Sequence, residues 1–106
     1  MSTNFWPQIE ALQGKVLHTV AEYKLFTVTQ VTDTQIEESV HDGAKTRVLC
    51  RKDLEPFYDH LVTTGELSKK ELGTVYKFNS SIAAALLAAL PNVTAEVNPI
   101  VLHYRL

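Results

Sequence analysis

The spacing of apolar and polar positions changes twice along the chain. Trp6, Ile9 and Leu12 recur at helical spacing, Pro7 suits a first helical position and Gly14 the residue just past the end. Residues 1–14 therefore predict a short N-terminal helix. From Lys15 the period shortens to about two. The runs Lys15–Val20, Lys24–Thr32, Gln35–Val40 and Lys45–Cys50 are rich in Val, Thr, Ile, Leu and Phe and predict four strands over residues 15–50. Their connections, Ala21-Glu22-Tyr23, Asp33-Thr34 and His41-Asp42-Gly43-Ala44, are long enough only for hairpins, which implies an antiparallel meander. Asp42-Gly43 is the clearest turn. Phe26 and Val28 share a face, Val31 falls out of phase with them, and a β-bulge near Thr29-Gln30 would restore it.

A helical period returns in residues 51–106. Leu54, Phe57, Tyr58, Leu61 and Val62 form an amphipathic stripe, with Asp53 as the expected cap, Pro56 in the first turn and Gly65 at the end. Ser68 followed by Glu71 is a capping box, and Leu67 and Leu72 stand where a hydrophobic staple would close. A second helix is expected from Lys69 to about Phe78. A third runs from Ser80 to about Leu90, capped by Asn79 or Ser80 and stopped by Pro91. Val93, Ala95 and Val97 alternate, as do Ile100, Leu102 and Tyr104, with Asn98-Pro99 between them as the turn of a C-terminal hairpin. The expected fold class is α+β in one domain.

Composition narrows the setting. The chain has 106 residues, 45% hydrophobic and 21% charged, enough for one compact core. Its longest apolar run, Ile82 to Leu90, is about half of the ~20 residues a membrane span requires. Residues 1–10 lack a basic region followed by an apolar core, and there is one cysteine. A cytoplasmic location is the expectation. A formal charge of −2 argues against coating nucleic acid or anionic membrane by bulk attraction, while leaving room for a local basic face.

Candidate chemistry is sparse. His18, His41, His60 and His103 have no mutual helical spacing, and no Cys-x-x-Cys or His-Glu-x-x-His is present, so no metal or other cofactor is expected. Cys50, ahead of a helix start and beside Arg51-Lys52, could be an activated thiol paired with His60 or His18, but the commoner fate of a free cysteine is burial. Glu37 and Glu38 point to opposite faces of one strand and cannot converge on one substrate. Gly73 is unexplained by a turn and would permit close packing or a bend. The expectation is a protein that is not an enzyme.

Three helices closed by a β-hairpin, with the opening Gly65-Glu66-Leu67-Ser68-Lys69-Lys70-Glu71-Leu72, resemble a winged-helix domain over about residues 52–106. The resemblance implies a third helix presented to the major groove and a wing at Asn98-Pro99. This chain departs from that pattern. After Asn79, Ser80 and Ser81 the third helix has no polar side chain up to Leu90 with which to read a base. A weak nucleic-acid face is left to Arg47, Arg51, Lys52, Lys69, Lys70 and Lys77, with Arg47 and Arg51 on one side of the strand if it continues past Cys50. Alternatively, the alanines of the third helix are either buried between layers or exposed for close approach of a partner. The main expectation is a protein-protein interaction module, a homodimer or an accessory to a larger assembly, using Phe5, Trp6, Ala84, Ala85 and Ala88.

Overall fold

The computed structural model describes residues 4–40 and 43–106. In chain order the elements are α1 (Phe5–Glu10), β1 (Val16–His18), β2 (Leu25–Val31), β3 (Gln35–Val40), β4 (Lys45–Cys50), α2 (Arg51–Thr64), β5 (Glu66–Ser68), α3 (Lys69–Leu72), α4 (Ser80–Ala88), β6 (Val93–Glu96) and β7 (Val101–Tyr104). The chain is mixed α+β: an antiparallel meander in the order β1-β2-β3-β4, helices, and a small antiparallel sheet in the order β5-β7-β6.

The meander follows the period-two pattern, and its one irregularity falls where the phase of Val31 demanded it. Val28 pairs with Glu38 and Gln30 with Glu37, so Thr29 is the extra residue of a bulge. Thr29 Oγ1 donates to the Glu37 carboxylate at 2.9 Å, and the amide of Val31 donates to Gln13 Oε1 at 2.8 Å, which ties the segment after α1 to the strand. Of the third turn, His41 and Asp42 lie outside the described residues. Gly43 has φ +89, a conformation that suits glycine, and its amide donates to the Val40 carbonyl at 3.1 Å.

α2 begins one residue after Cys50, and Cys50 itself occupies the capping position without a side-chain bond. Asp53 is therefore not the cap. It lies in the first turn, where a carboxylate suits the positive end of the helix dipole. Pro56 falls deeper than its expected place, and the N–H it lacks would have met the carbonyl of Lys52. Gly65, at φ +86, ends the helix by donating to the Leu61 carbonyl at 2.8 Å.

The capping box forms in full: the Glu71 amide donates to Ser68 Oγ at 3.2 Å and the Ser68 amide to Glu71 Oε2 at 2.8 Å. Leu67 and Leu72 are both buried, as a staple requires. The helix nevertheless stops at Leu72, well short of Phe78. Thr74 Oγ1 donates to the Glu71 carbonyl at 2.7 Å, and the amides of Thr74 and Val75 reach back only three residues. A side chain competing for a helix carbonyl, next to a glycine and a β-branched valine, ends the run in turns. β5 was invisible to the pattern because three residues are too few to alternate, yet it pairs with β7 and completes the small sheet.

α4 is the central element. Ile82, Ala83, Ala84, Ala85, Leu86 and Leu87 are all buried, so the helix is covered on its alanine side as well as its leucine side. It packs against α3, β1, β6 and β7. Small side chains let those neighbours approach closely, and alanine adds the best helix propensity. One hydrophobic cluster joins Phe5, Trp6 and Ile9 of α1, Phe26, Val28 and Ile36 of the meander, Leu54, Tyr58 and Leu61 of α2, and α4. Among the described residues no helix is long and apolar enough to cross a membrane.

Candidate interaction surface

The expected interface residues are mostly interior. Phe5 and Trp6 are buried, Phe5 stacks on Tyr58 at 4.7 Å between ring centroids, and Trp6 Nε1 donates to the Thr32 carbonyl at 2.9 Å. Ala84 and Ala85 are buried within the chain, and Ala88 is half-buried against the same core. Burial inside the chain leaves Phe5, Trp6, Ala84 and Ala85 almost no exposed area, and Ala88 keeps part of its surface.

The cations expected to form one basic patch are dispersed. The strand does not run on past Cys50, so Arg47 and Arg51 do not share a strand face: Arg47 is on β4 and Arg51 opens α2. The Arg51 guanidinium lies over the Trp6 ring, bonds the Asp33 carbonyl at 3.3 Å and pairs with Glu55 at 3.7 Å. It lines a cleft of about 540 Å³ with Lys52, Cys50, Thr34, Gln35 and Glu55. Lys69 and Lys70 line a different groove, of about 840 Å³, between the start of α3, Ser80 and the Asn98-Pro99-Ile100 turn. Arg47 lines a third, and Lys77 is exposed outside these three.

The third groove carries the exposed apolar surface of this end of the molecule. It has a volume of about 240 Å³, with a floor of Phe26, Val40 and Ile82 and a rim that includes Leu25, Phe78 and Arg47. Phe78 is 87% exposed and Leu25 67%. Leu25 stands directly opposite His18 across the β1–β2 pair, and the His18 ring stacks on Tyr23 at 4.7 Å. Tyr23, held at φ +56 in the β1–β2 turn, is itself 68% exposed. Leu25 and Phe78 thus bring two large apolar side chains to the rim of one groove, with the Tyr23–His18 stack next to Leu25, and water contacts them at a cost that a docked surface would relieve.

The sequence pattern missed this surface because Phe78 was placed inside a helix that in fact ends at Leu72. After that early stop the chain crosses to α4 in turns, and Phe78 faces outward. Leu25 carried a weaker signal: it lies out of phase with the buried Phe26 and Val28.

One buried charge was also missed. Glu38 occupies the core-facing row of β3, between Ile36 and Val40, and is 0% exposed. Neither carboxylate oxygen has a hydrogen-bond partner among the described residues. Burial pushes its pKa up to about 8; its own amide pulls the other way without forming a bond of good geometry, and neighbouring Glu37 adds to the rise. The Tyr76 hydroxyl is likewise buried and unpartnered among the described residues. Burial, helped by the negative groups Asp53, Cys50 and Glu38, holds its pKa well above the usual phenol range. The alternation of Ile36, Glu38 and Val40 was a signal that could have placed Glu38 inside.

Among the described residues no histidine lines the cleft beside Cys50. His60 pairs with Glu71 at 3.5 Å and His18 stacks on Tyr23. Among the described residues no group of three His, Cys, Asp or Glu side chains is placed to hold a metal ion. In the second half α2, β5, α3 and α4 precede the β6–β7 hairpin, and β5 joins that hairpin in one small sheet. Comparison of the chain with protein-family models, with curated proteins and with solved structures finds no match.

Proposed function

We propose that the chain is a non-catalytic interaction module that associates with a second copy of itself through the surface formed by Tyr23, Leu25 and Phe78. The observation that supports the reading is the exposure of Phe78, at 87%, on the rim of a groove it shares with the exposed Leu25. A chain that buries its aromatic Phe5, Trp6 and Tyr58 so completely leaves Phe78 out. An apolar patch of this kind, rimmed by Lys24, Glu22 and Arg47, fits a protein surface rather than a phosphate backbone. The test is the solution mass of the wild type and of Phe78→Ser and Leu25→Ser variants. Dimer formation that the substitutions abolish supports the reading, and a wild type that stays monomeric contradicts it.

A second reading, weak nucleic-acid binding, draws on the groove lined by Ser68, Lys69, Lys70, Thr74, Ser80 and Asn98. Those groups offer phosphate contacts without base reading, because α4 is buried beyond Ser81. Binding to random duplex DNA at low salt, lost steeply as salt rises, is its signature. Lys69→Glu with Lys70→Glu would remove it.

A further inference from the structure

We propose that Glu38 and Arg47 form a two-position charge switch: while Glu38 is neutral Arg47 stays on the wall of the Leu25–Phe78 groove, and when Glu38 releases its proton to solvent Arg47 turns inward to pair with it. The two residues are direct partners across the β3–β4 pair. Side chains so placed lie on one face with Cβ atoms about 5 Å apart, well within the reach of an arginine. Glu38 is fully buried with both oxygens unbonded among the described residues, and Arg47 is half-buried and makes no ion pair with a described residue. The row that holds Glu38 continues to Val40, which is part of the groove floor, so the guanidinium needs only to swing along the sheet face.

The groups around Glu38 leave Arg47 as the natural counter-ion. From β2 the facing residue is the uncharged Val28. Glu37, on the same strand, is negative, and the Tyr76 phenol, from the segment between α3 and α4, feels Glu38 together with Asp53 of α2 and Cys50 at the end of β4. The remaining cation on this face of β4 is Lys45, which is exposed and stands opposite Val40 rather than Glu38. An ionised Glu38 is costly inside unless it is paired, and Arg47 is the group placed to pair with it. The consequence for docking, a groove that loses its cation as pH rises, rests on the self-association reading above. The switch itself does not.

Titration of the full chain by NMR, following the Glu38 side-chain carboxyl carbon and the Arg47 Nε–Hε pair from pH 5 to 9.5, tests the proposal. Glu38 should titrate well above the ordinary carboxylate value but below about 8, the value set by burial without the Arg47 pair, with the Arg47 signal shifting at the same midpoint. Glu38→Gln should abolish the Arg47 response. Arg47→Gln, at a half-buried site, should raise the Glu38 midpoint by about one pH unit, because it removes the counter-ion. If Glu38→Gln does not fold, the Arg47→Gln titration decides alone. An Arg47 signal that never responds, a Glu38 midpoint in the ordinary carboxylate range, or a midpoint unmoved in Arg47→Gln overturns the proposal. Phe78→Ser, which tests docking, should leave both titrations in place, so the two failures are distinguishable.

Discussion

The guanidinium carbon of Arg51 lies 4.9 Å from the centroid of the Trp6 ring, which fastens the first residue of α2 to the N-terminal helix. The same indole donates to the Thr32 carbonyl in the β2–β3 turn. Trp6 therefore joins three parts of the chain, and Arg51 makes a structural contact there.

Replacing Trp6 with Phe should keep most of the apolar burial and remove the N–H bond to Thr32. The expected loss is about 1 kcal/mol, and Trp6→Ala should cost about 3 kcal/mol or more because it also leaves a cavity. Urea unfolding followed by circular dichroism measures both, since Trp6 is the only tryptophan and its fluorescence goes with it. Equal stability of Trp6→Phe and wild type would refute the role given to the indole N–H.

Arg51→Ala should cost about 0.5 to 1 kcal/mol, chiefly through the ring contact. The partly exposed pair with Glu55 adds little. Unfolding midpoints of Arg51→Ala and Glu55→Ala separate the two, with the larger loss expected in Arg51→Ala.

Glu38 sets the pH dependence. Its folded pKa, about 8, lies above the ordinary value of 4.5, so between those limits the unfolded chain has released a proton that the folded chain retains. Stability should therefore fall as pH rises from about 4.5 to about 8, by up to about 1.4 kcal/mol per pH unit, and level off on either side. Glu71 acts in the opposite sense and lower down: its bond from the Ser68 amide lowers its pKa below 4.5, and that contribution is lost as pH falls through the folded value. Thermal melts from pH 5 to 9 should decline in the wild type and stay level in Glu38→Gln. A level wild-type profile would show Glu38 to be ordinary.

Ser68→Ala removes the acceptor for the Glu71 amide and loosens the reciprocal bond to Ser68. A loss of about 1 kcal/mol is expected, with Glu71→Ala showing a similar loss and the double variant little more, because the two bonds form one unit. Fully additive losses in a double-mutant cycle would contradict that coupling.

Much of this architecture was legible because local signals agreed with tertiary structure. The phase error at Val31 pointed to the Thr29 bulge, and Ser68 and Glu71 fixed the start of α3. What stayed hidden depends on competitions that periodicity does not record. Thr74 takes the Glu71 carbonyl and ends α3 early, and the chain passes from strand to helix between Cys50 and Arg51 without a cap to announce it. Those two events decide where Phe78 points and why Arg47 and Arg51 part company. The interior place of the alanine helix was likewise undetermined, since six consecutive buried residues carry no amphipathic stripe.

Sedimentation equilibrium over a wide concentration range, comparing the wild type with Phe78→Ser, tests the proposed role of the Leu25–Phe78 surface most directly. The account predicts a wild-type mass that climbs from the 11.9 kDa of one chain toward that of two, and a variant of equal folding stability that remains at one. A wild type that holds the single-chain mass throughout, or a variant that associates as strongly as the wild type, would contradict it.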